Sequence, residues 1–304
     1  MPRVLTILGP TAVGKTAVAI QVAERLGGEI VSCDSRQIFK HLDIGTAKPT
    51  AAERKHAAFH LIDMMPPDRF MNAHEFRSLA ETAIDDIVSR GKLPVMTVGT
   101  GFYFKAMTDG IFEAPSADEG FRKEMERIAE SEGSPTLHAR LTQVDPKAAS
   151  EISENDKVRM VRALELHYLT GRTRSELSNE TQLPPSPYQF VTVELALDRE
   201  ELYDRINRRC EQMLVDGLID EAKSVREKEL LSDQMAEKIV GYKEAYEYLD
   251  GSCDLEEMLS KFQQATRNYA KRQITWFRKH ANGPKYDVSD NTLTDNILRD
   301  FESA

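Results

Sequence analysis

An eight-residue segment near the start of the sequence has the composition of a phosphate-binding loop. It reads GPTAVGKT, fits the pattern GxxxxGK[ST], and stands between a β-branched run and a helical pattern. The glycines let backbone N–H groups turn toward phosphate oxygens, the lysine adds positive charge, and the final threonine can ligate Mg²⁺. A glycine-rich turn without a ligand seldom has both flanking elements. The candidate phosphate-binding residues are Gly9, Pro10, Thr11, Ala12, Val13, Gly14, Lys15 and Thr16.

The loop leaves open which molecule carries the phosphates, ATP or another diphosphate. A carboxylate follows the second predicted strand, in the run SCDSRQ at residues 32–37. Open α/β sheets hold their active sites beyond the C-terminal ends of the strands. Three roles therefore remain open for Asp34: a general base, a Mg²⁺ ligand, or the N-cap of the next turn.

A third loop, TVGTGFY at residues 97–103, ends the next predicted strand. Its two glycines allow the backbone to approach a ligand closely, and Thr100 offers a hydroxyl group, although a helix cap is the alternative. Since parallel strands end at a common edge of the sheet, we expect the three loops to converge on one crevice.

An α/β core must position these loops. Buried strands are predicted at Arg3–Leu8, Glu29–Cys33 and residues 93–98, with helices at residues 16–26 and 73–90 between them. Short β-branched runs that alternate with helical patterns are typical of a parallel sheet covered by helices. The predicted fold class is α/β, a P-loop NTPase-like parallel sheet with flanking helices.

An all-helical insertion is predicted to interrupt this core. From about Glu113, prolines and glycines separate short amphipathic helices, and the proline-rich run LPPSPYQ at residues 183–189 ends the insertion. A strand at residues 190–197 then returns the chain to the sheet, and four helical segments follow, the last at residues 254–279. The expected divisions are residues 1–112 for the first part of the core, 113–188 for the helical insertion, and 189–304 for the rest of the core and the C-terminal helices.

Composition excludes several classes of protein. The 304 residues are 40% hydrophobic and 30% charged, and no apolar run approaches the length of a membrane span. The N-terminus lacks the features of a secretory signal, so we expect a cytoplasmic protein that does not bind membranes. Three scattered cysteines form neither a disulfide framework nor a zinc knuckle. The expected oligomeric state is a monomer.

The charge distribution restricts how the chain can bind nucleic acid. A formal net charge of −10 argues against a surface that is basic throughout. Basic residues do cluster at residues 157–174 and in RNYAKRQITWFRKH at residues 267–280, which holds five Lys or Arg and no acid. Either run is equally typical of a solvated helix face.

The order of motifs resembles the bacterial tRNA dimethylallyltransferase family from about Leu5 to Arg278. The matching blocks after GPTAVGKT are DSRQIFKHLDIGTAKP, FHLID, VGTGFYFKAM, NDKVRMVRALELHYLTGRT, RRCEQMLVDGLIDEA, VGYKEA and YAKRQITWFR. The later blocks are the specific part, because other P-loop proteins share only the first. No Cys/His finger follows the final predicted helix, unlike in some eukaryotic relatives.

The resemblance implies a role for each matching residue. The P-loop would hold dimethylallyl diphosphate with Mg²⁺ on Thr16, Asp34 would take a proton from the exocyclic amine of an adenine, and Thr100 and Arg209 would complete the catalytic site. The partner would be the anticodon stem-loop of tRNA, whose target base must leave its stack. The implied tRNA-binding residues are Asp34, Ser35, Arg36, Gln37, Thr100, Arg122, Val158, Arg159, Met160, Val161, Arg162, Lys238, Ile239, Val240, Gly241, Tyr242 and Lys243.

Two departures from the family pattern bear on these expectations. Val98 stands where the family usually has glycine, a change expected to alter how closely the backbone beside Thr100 approaches a ligand, and Phe39 replaces the usual tyrosine.

Three other functions compete with tRNA prenylation: an adenylate dimethylallyltransferase, an ATP-dependent small-molecule kinase, and a P-loop RNA-binding module without activity. The insertion and the basic final helix disfavour the first, and the pairing of Asp34 with Thr100 disfavours the last.

Overall fold

A computed structural model describes residues 1–112, 114–180 and 182–304 and divides the chain into two compact units. Unit 1 comprises Met1–Thr108 and Ser186–Ala304, and unit 2 comprises Asp109–Pro185. The divisions expected from the sequence lie within four residues of these bounds, and Glu113, where the insertion was expected to begin, lies outside the described residues.

The strands and helices are numbered in chain order. The strands are β1 (Arg3–Leu8), β2 (Glu29–Cys33), β3 (Phe59–His60), β4 (Pro94–Val98), β5 (Ile111–Phe112), β6 (Gln182–Leu183), β7 (Gln189–Ala196) and β8 (Lys285–Asp287). The helices are α1 (Lys15–Leu26), α2 (Ala73–Ser89), α3 (Gly101–Thr108), α4 (Glu119–Glu132), α5 (Ser134–Val144), α6 (Pro146–Glu151), α7 (Lys157–Thr170), α8 (Arg174–Glu180), α9 (Arg199–Val215), α10 (Leu218–Glu227), α11 (Asp233–Ala236), α12 (Tyr242–Leu249), α13 (Leu255–His280) and α14 (Leu293–Ser303).

Unit 1 is built on a six-stranded sheet in the order β3-β2-β4-β1-β7-β8. Every neighbouring pair is parallel, with Leu8 opposite Val98 and Val98 opposite Cys33. The strands β1, β2 and β4 are largely buried because helices cover both faces of a parallel sheet. Their C-terminal ends therefore lie side by side, and the predicted fold class is confirmed in this respect.

The sheet and the C-terminal part contain more elements than the sequence predicted. The strands β3 and β8 were not predicted, because strands of two and three residues leave no alternating pattern. Six helices, α9 to α14, follow β7 in place of the four expected. The helix α13 is not the last element, since β8 and α14 come after it.

Unit 2 contains five helices, α4 to α8, and one small sheet within the described residues. Its core is formed by α4, α5, α6 and α7, with Leu137, Leu141, Ala148 and Met160 fully buried. The expectation of an all-helical insertion is wrong, because β5 and β6 pair in antiparallel fashion, Ile111 opposite Leu183. Strands of two residues cannot be recognised from hydrophobic periodicity.

The helices of the described residues do not include a membrane span. None of them is both long enough and apolar enough to cross a bilayer.

Candidate active site

The loop between β1 and α1 has the backbone of a phosphate-binding loop. Gly14 lies at the N-cap of α1 with φ 108°, a left-handed conformation that glycine adopts without strain. Lys15 begins the helix, and its Nζ donates to the carbonyl oxygens of Gly9 at 2.7 Å and Pro10 at 2.9 Å. The lysine ammonium and the positive end of α1 thus face the same loop, which favours an anionic ligand.

A second cation reaches this loop from α9. The Nη2 of Arg209 donates to Oγ1 of Thr11 at 2.5 Å, while its buried Nε has no hydrogen-bond partner among the described residues. Burial lowers the pKa of Lys15 to about 8, Asp34 raises it, and the Arg209 guanidinium lowers it. An unpartnered buried N–H beside two neighbouring cations is expected where a polyanion binds.

The two oxygens of the Asp34 carboxylate have different surroundings. Oδ1 accepts from the N–H groups of Arg36 at 2.8 Å and Gln37 at 3.3 Å, so the cap expected as one alternative is present. Oδ2 faces Gly99 and accepts no hydrogen bond from the described residues. A cap on one oxygen fixes the carboxylate and leaves the other oxygen for a ligand, so the cap and base roles are compatible.

The loop after β4 is joined to the loop after β2. The N–H groups of Gly99 and Thr100 both donate to the Cys33 carbonyl oxygen at 3.0 Å, and the Ser35 N–H donates to Oγ1 of Thr100 at 2.9 Å. The Thr100 hydroxyl also lies within hydrogen-bonding reach of Tyr269. Asp34 and Thr100 therefore lie on two adjacent loops that are hydrogen-bonded to each other.

Val98, one of the two departures from the family pattern, is a core residue. Its side chain is fully buried in the sheet of unit 1. Gly99 is the residue that lies against Asp34. The glycine required for close approach is thus present at residue 99.

Helix α13 closes the site from a direction that sequence reasoning missed. Gln273 accepts from the Thr11 N–H and donates to the Gly99 carbonyl oxygen, each at 2.8 Å. A Cβ atom on Gly101 would lie 2.4 Å from the indole of Trp276. The motif containing both residues was recognised as a basic run and as a block of the family resemblance, but no local feature distinguished Gln273 from a solvent-exposed glutamine.

The predicted RNA contacts of unit 1 come together in part. The Arg36 guanidinium lies over the ring of Phe70 at 4.6 Å, and its Nη2 donates to the Lys238 carbonyl oxygen at 3.3 Å. Burial lowers the pKa of Arg36. Lys238 and Lys243 are exposed, and Arg36 therefore connects the two predicted contact segments.

Several residues of these segments have structural roles instead. The Gln37 amide accepts from Ser32 and donates to the Ala47 carbonyl oxygen at 2.9 Å. Tyr242 is fully buried, and its hydroxyl donates to Glu221. Ile239 is buried as well, which leaves the exposed lysines to carry the predicted contact.

In unit 2 the predicted RNA-binding side chains differ sharply in exposure. Val158 and Arg159 are exposed, whereas Met160 and Val161 are buried in the core of unit 2. The prediction that these two buried residues contact RNA is therefore corrected, because their side chains do not reach the surface.

The two other arginines of unit 2 that were predicted to bind RNA share one partner. Arg122 and Arg162 both donate to Glu165, whose side chain is fully buried, and the Asp118 N–H donates to the same carboxylate. Burial raises the pKa of Glu165, but the hydrogen bonds from the arginines lower it below its usual value. Arg159 and Arg162 stand three residues apart, a spacing that predicts a shared helix face but does not reveal this internal ion cluster.

A resident metal would have few protein ligands here. The described residues contain no cluster of three His, Cys, Asp or Glu side chains suited to a metal ion. Thr16 lies in the first turn of α1, and its hydroxyl makes no hydrogen bond within the described residues. This donor set fits Mg²⁺, which proteins commonly hold through one side chain while phosphates and water fill the other positions.

Comparison with known proteins agrees with this arrangement. The chain is 44% identical to a tRNA dimethylallyltransferase of Halalkalibacterium halodurans over 97% of this chain and 94% of that one. A crystal structure of a tRNA isopentenylpyrophosphate transferase from Bacillus halodurans matches with a TM-score of 0.72 and 40% identity, covering 100% of this chain and 98% of that one.

A more distant structure and a family profile extend the likeness. A eukaryotic dimethylallyltransferase solved acting on tRNA matches with a TM-score of 0.79 and 27% identity, covering 100% of this chain and 80% of that one. The profile of the IPP transferase family matches residues 37–280. The chain belongs to the IPP transferase family.

Proposed function

We propose that this protein transfers the dimethylallyl group of dimethylallyl diphosphate to the exocyclic N6 amine of the adenosine 3′ of the tRNA anticodon. The observation that carries the proposal is the placement of Asp34 and Thr100 beside a loop that has Lys15 and Arg209 as cations. The names of the similar proteins support the transfer of a dimethylallyl group to tRNA.

The reaction replaces one bond to the allylic carbon by another. The N6–C bond forms, the C–O bond to the diphosphate breaks, and pyrophosphate leaves with the bonding electrons. The lone pair of the amine is delocalised into the adenine ring, so a carboxylate that accepts its proton lowers the barrier. Oδ2 of Asp34 takes that proton, since Oδ1 is held by two backbone N–H groups.

Stabilisation of the leaving group comes from the phosphate-binding loop. Lys15, the N-terminus of α1 and the free Nε of Arg209 would neutralise charge as it develops on pyrophosphate. Thr16 would hold Mg²⁺, which would supply further positive charge there.

The RNA substrate would be recognised by residues of both units. In unit 1, Arg36, Lys238 and Lys243 are the candidates for contact with the anticodon arm, and in unit 2 the candidate is Arg159, since Arg122 is paired with Glu165. The target base must leave its stack, which costs little in a loop where bases are already unpaired.

The decisive experiment uses radiolabelled dimethylallyl diphosphate with Mg²⁺ and one of three acceptors: tRNA, an anticodon stem-loop, or AMP. We expect label in tRNA and in the stem-loop, and none in AMP. Label in AMP would favour the adenylate dimethylallyltransferase. Tight ATP binding without binding of dimethylallyl diphosphate, even when tRNA is present, would favour a kinase.

A further inference from the structure

One side chain on α13 connects two of the loops that frame the site. The Thr11 N–H donates to Oε1 of Gln273, and Nε2 of Gln273 donates to the Gly99 carbonyl oxygen, both at 2.8 Å. Gln273 is 7% exposed, so water competes poorly for either bond. The phosphate-binding loop and the loop of Thr100 are thereby tied through a single amide group.

The chemistry of the two partners selects an amide at this place. Thr11 presents a donor and Gly99 an acceptor, and a carboxamide supplies the complement of each. Tyr269, one turn earlier on α13, donates to the same Gly99 carbonyl oxygen at 3.3 Å. Because α13 is a continuous helix of 26 residues, the spacing between the two tied loops is set by a rigid element.

We propose that Gln273 is a positioning residue for prenyl transfer, which fixes the separation between the diphosphate loop and the site of the acceptor amine. This inference rests on the proposed function. Thr11 also bonds Arg209, and Gly99 lies against Asp34, so each bond of Gln273 secures a loop that serves a different substrate. A displacement of about 1 Å between reacting groups can cost about 10²-fold in rate.

Two substitutions of Gln273 separate the effect of its hydrogen bonds from the effect of its packing. Gln273→Met keeps the length of the side chain and removes both bonds. Gln273→Glu keeps the shape: when ionised it accepts from Thr11 but repels the Gly99 carbonyl oxygen, and when protonated it makes both bonds. Gln264→Glu is the matched control, because Gln264 is exposed on the same helix.

The measurement is single-turnover transfer to tRNA between pH 6.5 and 8.5, with KM for dimethylallyl diphosphate. The charged or titratable groups around this position are Lys15, Asp34, Arg36, Arg209, Tyr269 and Arg272. They are present in every protein compared, so the ratio of variant rate to wild-type rate at each pH reports the introduced carboxyl group.

We expect Gln273→Met to lower the rate about 10- to 100-fold and to raise KM at every pH. We expect the ratio for Gln273→Glu to rise several-fold as pH falls, because a buried carboxyl group takes up its proton readily. Gln264→Glu should give a ratio near one throughout.

A wild-type rate for Gln273→Met would overturn the inference. A lower melting temperature of Gln273→Met with unchanged rate and KM would also do so, since that is the signature of a purely structural residue. If the wild-type protein transfers no label to tRNA, the proposed function fails, and the inference fails with it for that separate reason.

Discussion

Gly99 and Asp34 lie so close that a Cβ atom added to the glycine would stand 2.4 Å from Oδ2 of the carboxylate. This oxygen is the one left free when Oδ1 caps the turn at Arg36 and Gln37. The backbone at residue 99 therefore forms one wall of the space around the proposed base. Val98, at the position where the family usually has a further glycine, is buried in the sheet and leaves that wall unchanged.

Gly99→Ala is expected to displace the Asp34 side chain and to lower the single-turnover rate by about 10²-fold, the usual contribution of a general base. Binding of dimethylallyl diphosphate should change little. The test is a double-mutant cycle with Asp34→Asn, in which the combined variant should be no slower than either alone, since both act through one carboxylate. Fully additive losses would show that Gly99 acts by another route.

Asp34→Asn separates the two functions of the carboxylate. The asparagine keeps an oxygen for the N–H groups of Arg36 and Gln37 but cannot accept the amine proton. We expect the single-turnover rate to fall by about 10²-fold, with tRNA affinity within a few-fold of wild type. Asp34→Ala should lose activity similarly and also be less stable by about 1 kcal/mol, because the cap is gone. A near-normal rate for Asp34→Asn would leave the cap as its only role.

The parts of this site that could be predicted from sequence are those coded by neighbouring residues. The phosphate-binding loop and the positions of Asp34 and Thr100 follow from short motifs at the ends of buried strands, because β1, β2 and β4 are short, largely buried segments rich in apolar residues. Parallel pairing then places their C-terminal ends at one edge.

Gln273 could not be predicted in the same way. It lies 262 residues from Thr11 in the sequence, and the two residues meet because α13 packs beside the phosphate-binding loop within unit 1. The ion cluster of Glu165 was hidden for a similar reason: the charge of Arg122 comes from a different helix, and its pairing with a buried carboxylate depends on how α4 and α7 pack. Spacing along one helix reveals shared faces but not partners on another.

Lys15 should make diphosphate binding depend on pH. Its pKa is lowered to about 8, so the ammonium form that attracts the diphosphate is lost as pH rises through that value. Binding should raise the pKa again, and a proton is then taken up on binding at pH 8.5. Calorimetry in two buffers of different ionisation enthalpy measures this uptake. We expect Lys15→Met to bind about 10- to 100-fold more weakly and to show no uptake, and equal uptake by this variant would assign the proton to another group.

Two arginines of α7 should differ in their roles: we expect Arg159 to bind RNA and Arg162 to support the fold. Arg159 has a side chain that is 61% exposed, and its nearest carboxylate oxygen, on Asp156, is 3.8 Å away. Arg162 donates to the buried Glu165 and to the Pro115 carbonyl oxygen. Of these two residues, Arg159 is therefore the candidate for a phosphate contact.

We expect Arg159→Ala to weaken binding of all competent tRNAs alike, and to reduce the slope of log affinity against log salt by about 0.7 to 1, as one lost phosphate contact does. Its melting temperature should equal that of the wild type. Arg162→Ala should instead be less stable by about 1–3 kcal/mol, because Glu165 loses one of its two guanidinium partners while remaining buried. Titrations at several salt concentrations, combined with thermal unfolding of both variants, separate these effects. An Arg159→Ala protein with unchanged slope and affinity would remove this residue from the RNA interface, and a fully stable Arg162→Ala protein that binds tRNA more weakly would restore Arg162 to it.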